Sequence, residues 1–179
     1  MSHPLEFVPP SLRKPLFFFF LSFTVVIYGV FAFLNTPLRT TAAPSGIVSY
    51  ELAGTFENSQ TMLNSWDENA RLFAAFGLGF DFLFMPVYAL ALSLGLILAG
   101  FEKPKPYQTL TVWLGWGAFI AAVFDAIENY ALWKILIGDL STSLPQVAAI
   151  CATIKFILLV IGLVTAVAGL FIKKTERVT

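Results

Sequence analysis

The chain has 179 residues, 58% of them hydrophobic and only 12% charged, and its 11 basic and 11 acidic side chains cancel to a formal charge of zero. Soluble domains carry about 25% charged residues, so this composition excludes that class in favour of an integral membrane protein, and the cancelled charge argues against a nucleic-acid partner. With one histidine, His3, and one cysteine, Cys151, the chain has no imidazole set for haem, no internal disulfide and no CxxC redox or zinc motif, and no cofactor is expected.

Four apolar runs reach the roughly 20 residues a helix needs to cross a bilayer: 15–34, 72–101, 110–137 and 147–172. The first has no charge. A cleaved leader is its alternative reading, because Arg13 and Lys14 precede it, but the run exceeds the roughly 7 to 15 apolar residues of a leader and Pro44 after Ala43 is a poor cleavage context. The long connection 35–71 follows. In it SGIVSYELAG predicts a short helix ended by Gly54, and TFENSQTMLNSW a second with Phe56, Leu63 and Trp66 toward the membrane surface. Ser65 with Glu68 matches a capping box, which predicts that the second spanning helix starts near Trp66. Its apolar run 72–101 contains Asp81 as its only charge, and Pro86 is expected to kink the helix. The third run holds Asp125, Glu128, Asn129 and, near its end, Lys134, and the fourth holds Lys155.

Basic residues orient these spans. Arg13, Lys14, Lys103, Lys105, Lys173, Lys174 and Arg177 fall on one side, against Arg39, Arg71 and Lys134 on the other, so the positive-inside rule predicts both termini in the cytoplasm. Tyr107, Trp113 and Trp116 then mark the inner interface of the third helix, and Tyr130 and Trp133 the outer one.

Within AFIAAVFDAIENYALWK, Asp125, Glu128 and Asn129 are spaced i, i+3, i+4 and share one helix face with Ala118, Ala121 and Ala122, whereas Phe119, Ile120, Val123, Phe124 and Ile127 take the lipid side. Asp81 lies ten residues beyond Arg71, Lys155 ten beyond Pro145 and Glu128 nine before Ile137, so each is about 15 Å deep at 1.5 Å of rise per residue. Small residues accompany them: Ala148, Cys151, Ala152, Gly162, Ala166 and Gly169 on the Lys155 face, Ala74 and Gly77 beside Asp81, with Tyr88 two turns further on. An ionisable residue at membrane depth is costly, by roughly 2.5 to 3.5 kcal/mol on insertion scales, and needs a partner.

Three acids facing one lysine leave two negative charges uncompensated if all ionise, which an interior of low dielectric does not tolerate. Protonated acids, a bound cation or a water-filled opening would each relieve the imbalance. A hard metal cation is the weaker of these, since Lys155 competes for the same carboxylates. The plainer alternative is that Lys155 pairs with one carboxylate while Asn129 and Tyr88 complete the hydrogen bonds, so that the cluster only fixes helix register. An enzyme would need more than the Asp125–Glu128 pair, and the chain has no HExxH, GxSxG, Cys–His pair or Gly-rich phosphate loop. The Phe-rich faces fit lipid contact better than docking of other membrane helices, the mark of an accessory or scaffold subunit.

GLGFDFLFMPVYALAL, FDAIENYALWKIL and IKFILLV, with IVSYELAG ahead of them, resemble a group of small bacterial membrane proteins with four helices and no assigned activity, over residues 46–169. The resemblance implies the fold and a bacterial membrane, and supplies no catalytic residues.

The expectation is therefore an all-α four-helix transmembrane bundle forming one membrane domain over residues 1–179, in the bacterial cytoplasmic membrane. It would bind or transport a small ligand, proton or cation through Asp81, Asp125, Glu128, Asn129, Lys155 and Tyr88. Its expected surroundings are lipid, with other membrane helices or a second copy as further partners.

Overall fold

A computed structural model describes residues 2–173, and within them the chain is all-helical. Six helices follow one another: α1 (Pro10–Leu34), α2 (Ile47–Glu51), α3 (Phe56–Asn64), α4 (Glu68–Gly100), α5 (Lys105–Leu136) and α6 (Leu144–Ala168). Four of these, α1, α4, α5 and α6, are long and apolar enough to cross a membrane. Lys174 and Arg177, counted for orientation, lie outside the described residues.

Helix ends differ from the apolar runs for one physical reason. Hydropathy marks the part of a helix that tolerates hydrocarbon, whereas the hydrogen-bonded spiral continues through polar turns beyond it. Thus α1 begins at Pro10, whose fixed φ suits a first turn, and α5 begins at Lys105, five residues ahead of its apolar run. The start of α4 corrects the capping-box expectation. The Asp67 carboxylate accepts from the Ala70 amide at 2.7 Å, while Ser65 closes α3 and its hydroxyl bonds the Met62 carbonyl at 2.6 Å. An acidic cap beside the positive end of a helix is favoured over a neutral one.

The chain separates into two compact units. One comprises Pro86–Ala122 with the stretches up to Thr24 and from Phe156 onward; the other comprises Val25–Met85 and Val123–Lys155. In the first, the N-terminal arm folds back: Leu5 and Val8 are buried with Leu94 and pack against Phe17, Phe20 and Phe119. Phe119, expected to face lipid, is accordingly half-buried. His3 packs against Gly115, where an added Cβ would come within 2.3 Å of its Nε2. The Tyr107 hydroxyl donates to the Thr165 carbonyl, joining α5 to α6.

In the second unit, the long connection 35–71 forms the centre of the core. Tyr50, Leu63 and Trp66 are buried with Leu38, Leu132 and Ile135. This corrects the expectation that Leu63 and Trp66 face the membrane surface. Each aromatic hydrogen-bonds inward, Trp66 Nε1 to the Leu38 carbonyl at 2.8 Å and the Tyr50 hydroxyl to the Leu132 carbonyl at 3.2 Å, and a buried N–H or O–H is held wherever such a partner exists. The entry to α2 depends on Gly46, whose φ of 64° is costly for a side-chain-bearing residue. Its position is also tight, because Asn35 accepts from the Ile47 amide at 2.8 Å and donates to the Ser45 carbonyl at 3.2 Å directly against it.

Candidate functional site

The hydrogen bonds and ion pairs that link Asp81, Asp125, Glu128, Asn129 and Lys155 to one another lie within the second unit. Helix α5 brings Asp125, Glu128 and Asn129 to one buried face, between 0% and 2% exposed, as the i, i+3, i+4 spacing requires. From α6, Lys155 reaches this face alongside buried Ala148, Cys151 and Ala152, whose small side chains permit close approach. Its Nζ donates to Asp125 Oδ1 at 3.0 Å and to Glu128 Oε1 at 3.0 Å, with Glu128 Oε2 at 2.9 Å. Asn129 turns instead to α4. Its Nδ2 donates to Asp81 Oδ2 at 2.7 Å and, more weakly, to the Leu78 carbonyl at 3.4 Å. The structure thus brings together Asp81, Asp125, Glu128, Asn129 and Lys155; Tyr88 belongs to the other unit, where it is buried.

One member was missing from the sequence reading. Glu51, the last residue of α2, is 8% exposed, and its Oε2 stands 3.9 Å from Lys155 Nζ. Burial pushes its carboxyl above the usual range, and the Lys155 ammonium only partly offsets this. No spacing rule in the sequence singles it out, because a five-residue helix in a long connection can point anywhere. The available signal was an acid inside the otherwise apolar IVSYELAG stretch.

Three carboxyl groups, of Glu51, Asp125 and Glu128, stand within 3.9 Å of the Lys155 ammonium, and a fourth, of Asp81, joins them through Asn129, so three negative charges would stand uncompensated within the cluster if all ionised. The hydrogen-bond inventory is unbalanced in the same direction. Glu51 Oε2 and Asn129 Oδ1 are buried acceptors with no hydrogen-bond donor among the described residues. An acceptor buried without a donor costs roughly 1 to 3 kcal/mol, so both atoms favour the arrival of an O–H or N–H. Among the described residues no group of three or more His, Cys, Asp or Glu side chains has a geometry that could hold a metal ion. The arrangement is thus short of positive charge and of hydrogen-bond donors among the described residues.

Around this site the helices present large apolar side chains outward, including Phe76, Phe82, Val123, Ile127 and Ile150. Comparison with protein-family models, with curated proteins and with solved structures returned no match.

Proposed function

We propose that the chain is a multi-pass protein of the bacterial cytoplasmic membrane, with both termini cytoplasmic, that binds and passes on an exchangeable proton or small cation at the Glu51–Asp81–Asp125–Glu128–Asn129–Lys155 site. The observation that carries this reading is the excess of acceptors: among the described residues one ammonium serves a cluster of four carboxyl groups, three beside it and Asp81 linked through Asn129, and two buried oxygens there have no hydrogen-bond donor. A purely structural ion pair would be satisfied by one acid per lysine. The proton is the first occupant to consider, since it neutralises a carboxylate and supplies the missing donor in one event. Glu51 comes from the connection that the distribution of basic residues assigns to the outer side, so the occupant exchanges with that side.

The test is thermal unfolding of the purified protein in detergent, across pH and with added sodium or potassium. A proton- or cation-binding site makes the midpoint depend on pH or salt, and the dependence flattens in the Asp125→Asn/Glu128→Gln double variant. A second reading, an accessory subunit whose buried charges set helix register, is favoured by the short contacts of Lys155 with both Asp125 and Glu128. In that case the double variant leaves the pH and salt profiles unaltered, and the protein co-purifies with a larger complex in fixed stoichiometry.

A further inference from the structure

The first unit contains an open cleft of about 910 Å3 at the ends of α4 and α5, lined by His3, Arg13, Lys103, Lys105, Gln108 and Thr111. Its central group is Lys103. The side chain is only 9% exposed, yet its Nζ donates to a single backbone acceptor, the Ile172 carbonyl, and makes no ion pair with a carboxylate among the described residues. An ammonium has three N–H donors, and a buried cation without an anion is disfavoured. Arg13 is held at the same cleft by two bonds to its own arm, Nε to the Val8 carbonyl at 3.0 Å and Nη2 to the Glu6 carbonyl at 3.1 Å. Those bonds use two of five guanidinium N–H groups and fix the plane of the fork, the arrangement suited to a phosphoryl oxygen pair. Lys105 adds a third cation at the exposed rim.

His3 adds no charge at neutral pH. Burial, with Arg13 nearby, holds its imidazole down to about 4, and its Nδ1 accepts from the Leu5 amide at 3.1 Å. Glu6 and Glu102 also border the cleft, so three cations meet two acids there, a balance that fits a singly charged phosphodiester better than a phosphomonoester or a polyphosphate. Ile97, Phe101 and Val112 form an apolar wall. Phe101 is 52% exposed, which leaves room for a hydrocarbon chain beside the charged floor.

We propose that this cleft binds the phosphate of an amphiphile, with Lys103 and Arg13 gripping the phosphodiester, Lys105 at the rim and Phe101 against the acyl chain. The site is independent of the acidic cluster, and its test does not depend on what that cluster binds.

The experiment is native mass spectrometry and thermal unfolding of delipidated full-length protein in detergent, titrated with phosphatidylglycerol, with diacylglycerol lacking the phosphate, and with the water-soluble phosphodiester glycerophosphoglycerol. Phosphatidylglycerol is expected to give one retained adduct and a raised unfolding midpoint, with diacylglycerol at least 10-fold weaker. Lys103→Met removes a buried charge that has no carboxylate partner among the described residues, so it should fold at least as well as wild type while losing the adduct. Lys105→Gln, at the exposed rim, should weaken binding several-fold without altering the lipid-free midpoint, and it keeps the test valid if Lys103→Met does not accumulate. Displacement of phosphatidylglycerol by glycerophosphoglycerol, or binding of glycerophosphoglycerol alone, supports the phosphate site and names a soluble source. Equal retention of diacylglycerol, or an adduct undiminished in Lys105→Gln and in whatever Lys103→Met can be purified, overturns the proposal.

Discussion

The two units both bury charge, and they leave it unbalanced in opposite senses. In the second unit, one ammonium serves a cluster of four carboxyl groups, and two buried oxygens there have no donor among the described residues. In the first, a buried ammonium has a backbone carbonyl as its one hydrogen-bond partner among the described residues. Their pH responses are opposed as well: Glu51 is an acid whose burial favours its neutral form, and His3 a base whose burial does the same. The comparison teaches that the sign of the missing partner can be read from a site before any partner is known. The acidic cluster calls for a donor or a cation, the cleft for an anion.

Breaking the acidic cluster should have the largest effect. Lys155→Met leaves Asp125 and Glu128 buried without their cation, and removing one partner of a buried ion pair costs about 3 to 5 kcal/mol. The unfolding midpoint in detergent should fall sharply, and adding Asp125→Asn and Glu128→Gln to the same chain should recover most of the loss. A Lys155→Met protein as stable as wild type would mean that the short contacts of Lys155 carry no weight.

A smaller but still clear loss is expected at the entry to α2. Gly46→Ala places a methyl group 2.1 Å from Asn35 Oδ1 at a φ of 64°, strain of roughly 1 to 3 kcal/mol. Because α2 carries Glu51, the substitution should also weaken the pH dependence of unfolding, whereas Gly54→Ala, with φ equally positive but only the Leu52 carbonyl nearby at 3.8 Å, should spare it.

The opposed pH responses sharpen the comparison further. For Glu51 the folded state holds its proton more tightly than the unfolded one, so its contribution is unpenalised in acid and stability falls as pH rises above the ordinary carboxylate range. Glu51→Gln should flatten that fall. For His3 the unfolded state binds the proton more tightly, so stability is lost as pH drops from 6.5 toward about 4 and is unaffected above that window. His3→Gln should flatten only the acid limb. Hydrogen exchange resolved along the chain checks the assignment: acid should loosen residues around Leu5 and Val8, alkali those around Tyr50.

The smallest effect belongs to the Lys134–Asp139 pair, 3.1 Å apart on the surface. Hydrogen bonds from Ser141, with Lys134 adding to them, hold Asp139 down to about 2, but solvent screens the pair. Asp139→Asn should leave the midpoint unchanged, and a clear shift there would show that exposed charges matter as much as the buried ones.

The four long apolar helices and the face shared by Asp125, Glu128 and Asn129 were legible because length, hydropathy and a 3.6-residue period are local properties. Pairing across segments was legible only as a need: charge at equal depth must find charge, and Lys155 and Asp81 did meet α5. Three things were hidden. Ser65 and Asp67 both precede Glu68, and nothing local says which will cap α4. Leu63 and Trp66 look alike whether they face lipid or a neighbouring helix, since both surroundings are apolar. Glu51 is placed by the course of a long connection, through Gly46, Asn35, Tyr50 and Trp66, and such long-range geometry leaves no periodic trace. The cleft beside Lys103 was invisible for a related reason, because its basic residues read equally well as an inner-face charge signal.

Infrared difference spectroscopy of the purified protein, recorded as pH is stepped from acid to alkaline, tests the central claim most directly. The account predicts a protonated-carboxyl signal near neutral pH that disappears on alkalinisation and is diminished in Glu51→Gln and in the Asp125→Asn/Glu128→Gln variant. Spectra with no protonated carboxyl in that range, identical in wild type and variants and indifferent to added cations, would contradict it.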